Sequence, residues 1–179
     1  MIIYCSHKLQ SFLGKCHPPK VEESSSKIGD WNGHLFSLEG KKCLIFMNNK
    51  TCYTLLMTII YKKHVKALAN VFKERLIHQL DHDVKITESQ ETKIRVEAAN
   101  IVFAPSNNDK KIAGTINSFV EAIKFKCAAD GGLEHWHDVT ENAILNTSLV
   151  GTKIHTNVRR TRDYFTPDNA MKELISIVL

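Results

Sequence analysis

The chain has 179 residues, of which 43% are apolar and 24% charged, with a formal net charge of +5 and a pI near 8.9. That balance excludes a disordered chain. The charge permits a nucleic-acid partner but falls short of the strongly basic footprint that would argue for one. The five cysteines (Cys5, Cys16, Cys43, Cys52, Cys127) are odd in number and show no C-x-x-C spacing, so reduced thiols in a cytoplasmic protein are expected rather than a disulfide framework.

In chain order, Ile2 to Cys5 is a short β-prone run that lacks the basic flank and long apolar core of a secretory signal. No apolar stretch approaches the roughly 20 residues that span a bilayer, so no membrane association is expected. Ser6 is placed to cap a short helix that runs to Leu13 and stops at Gly14. Residues 17–30, with paired prolines and consecutive serines, read as a loop. Gly33–Leu38, Lys42–Asn48 and Cys52–Ile60 then form a meander of β-rich runs. Glu39-Gly40-Lys41 and Asn49-Lys50-Thr51 separate them with residues that tolerate positive φ.

From Lys62 to about Leu80 the apolar period lengthens to three and four residues (Val65, Leu68, Ala69, Phe72, Leu76, Leu80), which predicts an amphipathic helix. Ser89–Ala98 reads as a further helix and Ile101–Ala104 as a short strand ended by Pro105. Asp109 is expected to cap a long helix over Lys111–Ala129, terminated by Gly131-Gly132. Asp138 or Thr140 is expected to cap a helix through Leu145. Thr166-Pro167-Asp168 opens the last helix. The whole predicts a single α+β domain over residues 1–179: a small, mainly antiparallel sheet, made of the N-terminal strand plus a three-stranded meander, packed with several helices. Trp31, Leu35, Leu44, Phe46, Phe72, Leu76, Phe119 and Ile123 are expected to be buried together.

Four stretches carry a family resemblance. They are MIIYCSHKL, with Cys5, Ser6, Lys8 and Leu9; Trp31-x-x-x-Leu35 leading into KKCLIFMNNKTCY; Asp109-Lys-Lys-Ile-Ala-Gly114-Thr-Ile-Asn117; and Leu145-Asn-Thr-Ser-Leu-Val-Gly151. In order and spacing the chain resembles a bacterial family, also carried on plasmids and phages, that is known only as a domain of unknown function. In the second stretch Asn49 stands where that family usually has aspartate. The resemblance implies a bacterial or phage domain linked to mobile elements, and it implies no activity.

Candidate sites follow from residue chemistry. Glu134-His-Trp-His-Asp138 concentrates imidazoles and carboxylates, but no other histidine stands at a metal-site spacing, so neither a bound metal nor any other cofactor is expected. The expected structure there is a surface loop with Trp136 packed on the core. Cys43 lies in an apolar strand and reads as an inert small hydrophobe. Phosphate-binding glycine loops and the serine-hydrolase elbow are absent from the sequence.

Gly114 is expected to permit close helix packing, with Asn117 one turn on and facing the same way. Arg159, Arg160, Arg162 and Tyr164 form the densest basic-aromatic stretch. Guanidinium groups bind phosphates and aromatic faces stack bases, so this stretch, with Lys62, Lys63 and Lys66, is the expected contact for a nucleic acid or another anionic partner. These readings favour a binding protein whose partner is nucleic acid or protein. The competing reading is a hydrolase or nuclease using His135 and His137 or the arginine cluster.

Overall fold

The computed structural model describes residues 1–14, 26–148 and 165–179. Among these, β1 (Ile2–Cys5), β2 (Trp31–Leu38), β3 (Lys41–Asn48), β4 (Thr54–Met57) and β5 (Val102–Pro105) form one sheet in the order β4-β3-β2-β1-β5. The meander is present: β2 pairs antiparallel with β3, and β3 with β4. Glu39 (φ 48°) and Gly40 (φ 73°) both take positive φ in the first hairpin turn, which is the two-residue turn whose twist suits flanking strands.

The fold is α+β, as expected, and the sheet carries a parallel part. It is mixed rather than purely antiparallel, because β1 runs parallel to both of its neighbours, with Cys5 opposite Gly33 on one side and Pro105 on the other. Alternation along a strand says which residues share a face but not which way the neighbour runs. Direction is set by the connections: the helix over His7–Leu13 lies between β1 and β2, and the chain returns from β4 through the helices over Leu68–Val84 and Glu88–Glu97 to enter β5 beside β1.

Side chains alternate across the sheet and build an apolar cluster on each face. Trp31, Leu44, Phe46, Phe72 and Leu76 share the first, with Leu35 partly buried against it. Cys43, Ile45, Met47 and Ile123 share the second, with Phe119 packed on it. The expectation of one common core is therefore corrected: the sheet separates Phe119 and Ile123 from the rest. In the first cluster the Trp31 and Phe46 rings each meet Phe72 edge-on, at 5.2 and 5.0 Å between centroids, an arrangement aromatic quadrupoles favour.

The helices divide between the faces. α1 (His7–Leu13) is capped by Ser6, whose hydroxyl accepts from Leu9 N, and it puts Leu9, Phe12 and Leu13 on the first face. α4 (Lys110–Ala129) is capped by Asp109, which accepts from Lys111 N and Ile112 N, and it puts Ile112, Ile116, Val120 and Ile123 on the second. The helix expected from Lys62 begins instead as a 3₁₀ turn over Lys62–Ala67 and becomes α2 at Leu68–Val84. His64 holds that turn: its backbone N–H donates to Tyr61 O at 2.9 Å and its Nδ1 accepts from Tyr61 N at 3.3 Å.

α3 spans Glu88–Glu97, α5 spans Asp138–Thr147, and α6 spans Pro167–Val178 behind Thr166. Asp138 is not the cap of α5. It lies inside the first turn, where its carboxylate accepts from the Thr58 hydroxyl at 2.6 Å. No helix of the described residues is long and apolar enough to cross a membrane.

Candidate functional site

Arg159, Arg160, Arg162 and Tyr164 lie outside the described residues. The lysines grouped with them, Lys62, Lys63 and Lys66, are exposed on the 3₁₀ turn. The structure adds Lys42 from the start of β3, which the β4 end brings alongside: Ile60 N donates to Lys42 O at 2.7 Å. Phe12 of α1 completes the contact. The Lys42 and Lys62 ammonium groups stand 4.9 and 5.2 Å from the same Phe12 ring centroid, and Lys62 also donates to Phe12 O.

Two cations against one ring concentrate positive charge at a single spot. Each gains from the π face, while they repel each other. Among the described residues, no carboxylate lies within ion-pair distance of Lys42, Lys62, Lys63 or Lys66. Beside them Tyr61 is 52% exposed, with Lys63 Nζ 5.5 Å from its ring centroid and the His64 ring edge-on to it. The result is a basic surface with an accessible aromatic face. Sequence reading reached its lysines but not Lys42, Phe12 or Tyr61. They come from separate elements, and only the sheet register and the path of α1 bring them together.

A cleft of about 310 Å³ opens beyond the carboxyl ends of β1 and β5. Ser6 and Ser106 follow those strands, Asn32 and His34 stand on β2, and Asn117 lies on α4. The chain leaves β1 into α1 on one face and β5 into α4 on the other. Adjacent parallel strands whose connections diverge in this way leave a crevice, the usual ligand position in open α/β sheets. Asn32 is held by its amide, which donates to Asn49 Oδ1 at 2.7 Å. His34 is half-buried; burial first, then the positive charges of Lys8 and Lys124, hold its pKa below the ordinary value. Gly114 faces open space rather than a packed helix, since nothing lies within 4 Å of where its Cβ would stand. Asn117, one turn on, lines the cleft.

The Glu134–Asp138 stretch sits at the other end of α4. Trp136 is buried there under Lys126, whose ammonium lies 5.3 Å from the ring centroid. His135 and His137 are exposed; His135 stands 3.5 Å from Glu134, and Asp138 is committed to Thr58. No three His, Cys, Asp or Glu side chains among the described residues converge as metal ligands would. Burial pushes the Cys5 thiol up to about 12 and the Cys43 thiol to about 11, so both stay protonated at neutral pH and are poor nucleophiles.

No curated protein matches the chain. The family model described as Domain of unknown function (DUF6933) matches residues 2–170, nearly the full length, and the chain belongs to that family.

Proposed function

We propose that the protein is a cytoplasmic binding protein, and that its partner is a nucleic acid held on the basic surface around Phe12 and Tyr61. The carrying observation is the cluster of Lys42, Lys62, Lys63 and Lys66, with no carboxylate paired to it among the described residues and an exposed tyrosine at its edge. Phosphate oxygens between Lys42 and Lys62 would relieve their repulsion, and Tyr61 offers a face on which an unpaired base can stack. Arg159, Arg160, Arg162 and Tyr164 extend the same chemistry along the chain. The thiols of Cys5, Cys43 and Cys127, free and buried, fit a reducing compartment. A hydrolase or nuclease built on His135 and His137 has no comparable support, because those rings are exposed and no three His, Cys, Asp or Glu side chains among the described residues converge as metal ligands would.

Fluorescence anisotropy with short labelled single-stranded DNA, duplex DNA and RNA tests the proposal. The wild-type protein is expected to bind at about 50 mM salt, where nonspecific electrostatic binding is strong. Single strands should bind more tightly than duplex, because stacking on Tyr61 requires an unpaired base. Replacing Arg159, Arg160 and Arg162 with alanine should weaken binding alike across sequences. Failure to bind any of the three at that salt would direct the basic surface to an acidic protein instead.

A further inference from the structure

We propose that the cleft beyond β1 and β5 is a second, separate site, for a small hydroxylated metabolite carrying one oxyanion group. This inference does not rest on the nucleic-acid reading.

The polar groups of the cleft are only partly used by the fold. The Ser6 oxygen accepts from Leu9 N and the Ser106 oxygen accepts from Asn108 N. A hydroxyl whose oxygen is occupied as acceptor still has its hydrogen to give. Lys110 also lines the cleft, exposed and without a carboxylate partner among the described residues. Two hydroxyl donors and an ammonium therefore border one space. Lys8 and Lys124 add positive charge near His34, which lines the cleft. These groups suit an oxyanion.

Acceptors stand in the same cleft. The Asn32 amide nitrogen is tied to Asn49, and the Asn32 carbonyl oxygen has no hydrogen-bond partner among the described residues. Asp109 uses Oδ1 for Lys111 N and Ile112 N, and its Oδ2 has no hydrogen-bond partner among the described residues. Its carboxylate already holds the first amides of α4, so the oxyanion is assigned to the serines and Lys110 and not to that helix end. Free carboxylate and amide oxygens call for O–H donors on the ligand. At about 310 Å³ the space is at the small end of ligand pockets and suits one compact metabolite. Phosphate and carboxylate share the required chemistry, so sugar phosphates and sugar acids are both members of the class.

Isothermal titration with ribose 5-phosphate, gluconate, ribose and inorganic phosphate distinguishes them. Binding of ribose 5-phosphate or gluconate, at least tenfold tighter than ribose and inorganic phosphate, is the expected result, and whichever anion binds identifies the oxyanion. Lys110→Gln lies at an exposed position and should weaken that binding about tenfold with the melting temperature unchanged; Ser106→Ala should do the same unless it loosens its loop. The inference is overturned if neither anion binds, if ribose or inorganic phosphate binds as well as they do, or if Lys110→Gln leaves the affinity intact.

Discussion

Asn146 on α5 holds Thr54 on the edge strand β4 by both backbone groups: Thr54 N donates to Asn146 Oδ1 at 2.7 Å, and Asn146 Nδ2 donates to Thr54 O at 3.0 Å. One helical turn earlier Asn142 holds Leu56 in the same way, at 2.5 and 3.0 Å. The spacing works because four helical residues rise about 6 Å and two strand residues rise about 6.7 Å. Two asparagines thus replace a missing neighbouring strand and close an edge that would otherwise pair with other chains. Asn146→Ala leaves a buried N–H and a buried C=O unmet, and should lower unfolding stability by about 2–4 kcal/mol. Urea denaturation measures it; a loss under about 0.5 kcal/mol would contradict the role of the clamp.

Gly33 is required by packing. A Cβ there would stand 2.8 Å from Leu9 Cδ2 and 3.0 Å from Phe46 Cε1, both in the first core cluster. Gly33→Ala should therefore cost about 1–3 kcal/mol through overpacking. Gly114→Ala, where the Cβ meets open space, should be stabilising by up to about 1 kcal/mol from helix propensity. Thermal melts of the two variants should move in opposite directions.

Local signals were legible where the cause is local. Ser6 and Asp109 cap helices as their side-chain chemistry predicts, and the hairpin at Glu39-Gly40 turns where it should. The short strand before Pro105 is present. Non-local pairing was not legible: that β1 lies between β2 and β5, parallel to both, depends on the path of the chain between the strands and not on its residues. The basic surface was half legible, since Lys62, Lys63 and Lys66 are neighbours in sequence while Lys42 and Phe12 arrive from other elements. The cleft was legible only as fragments. Ser6 and Asn117 stood in separate motifs, and the reading of Gly114 as a packing residue pointed away from solvent.

His34 should make stability depend on pH. Its folded pKa is below its unfolded value, because of burial and then Lys8 and Lys124, so the folded state binds the proton less well than the unfolded state. The stability it contributes is present above the unfolded value of about 6.5 and is lost as pH falls through the folded one. His34→Gln should remove this component. The difference in stability between wild type and variant should shift against the wild type as pH is lowered from 7 to 5, read from urea midpoints at each pH. A pH-independent difference would contradict the assignment.

Cys5 and Cys43 should resist thiol reagents in the native state, since both are fully buried and their thiols are held protonated. Iodoacetamide labelling at pH 8, followed by peptide mass analysis, should find both unmodified until denaturant is added. Rapid native labelling of either would show that the sheet opens.

The central claim is that the lysines around Phe12 and Tyr61 bind phosphates. The direct measurement is the salt dependence of affinity for a single-stranded oligonucleotide, for wild type and for Lys42→Ala/Lys62→Ala/Lys63→Ala, each lysine being exposed. Each neutralised phosphate contributes about 0.7 to the slope of log K against log salt on a single strand. The triple variant should have a slope shallower by about two units and weaker binding at every salt concentration. An unchanged slope and affinity in the variant, or a wild-type protein that binds no oligonucleotide at about 50 mM salt, would contradict the claim.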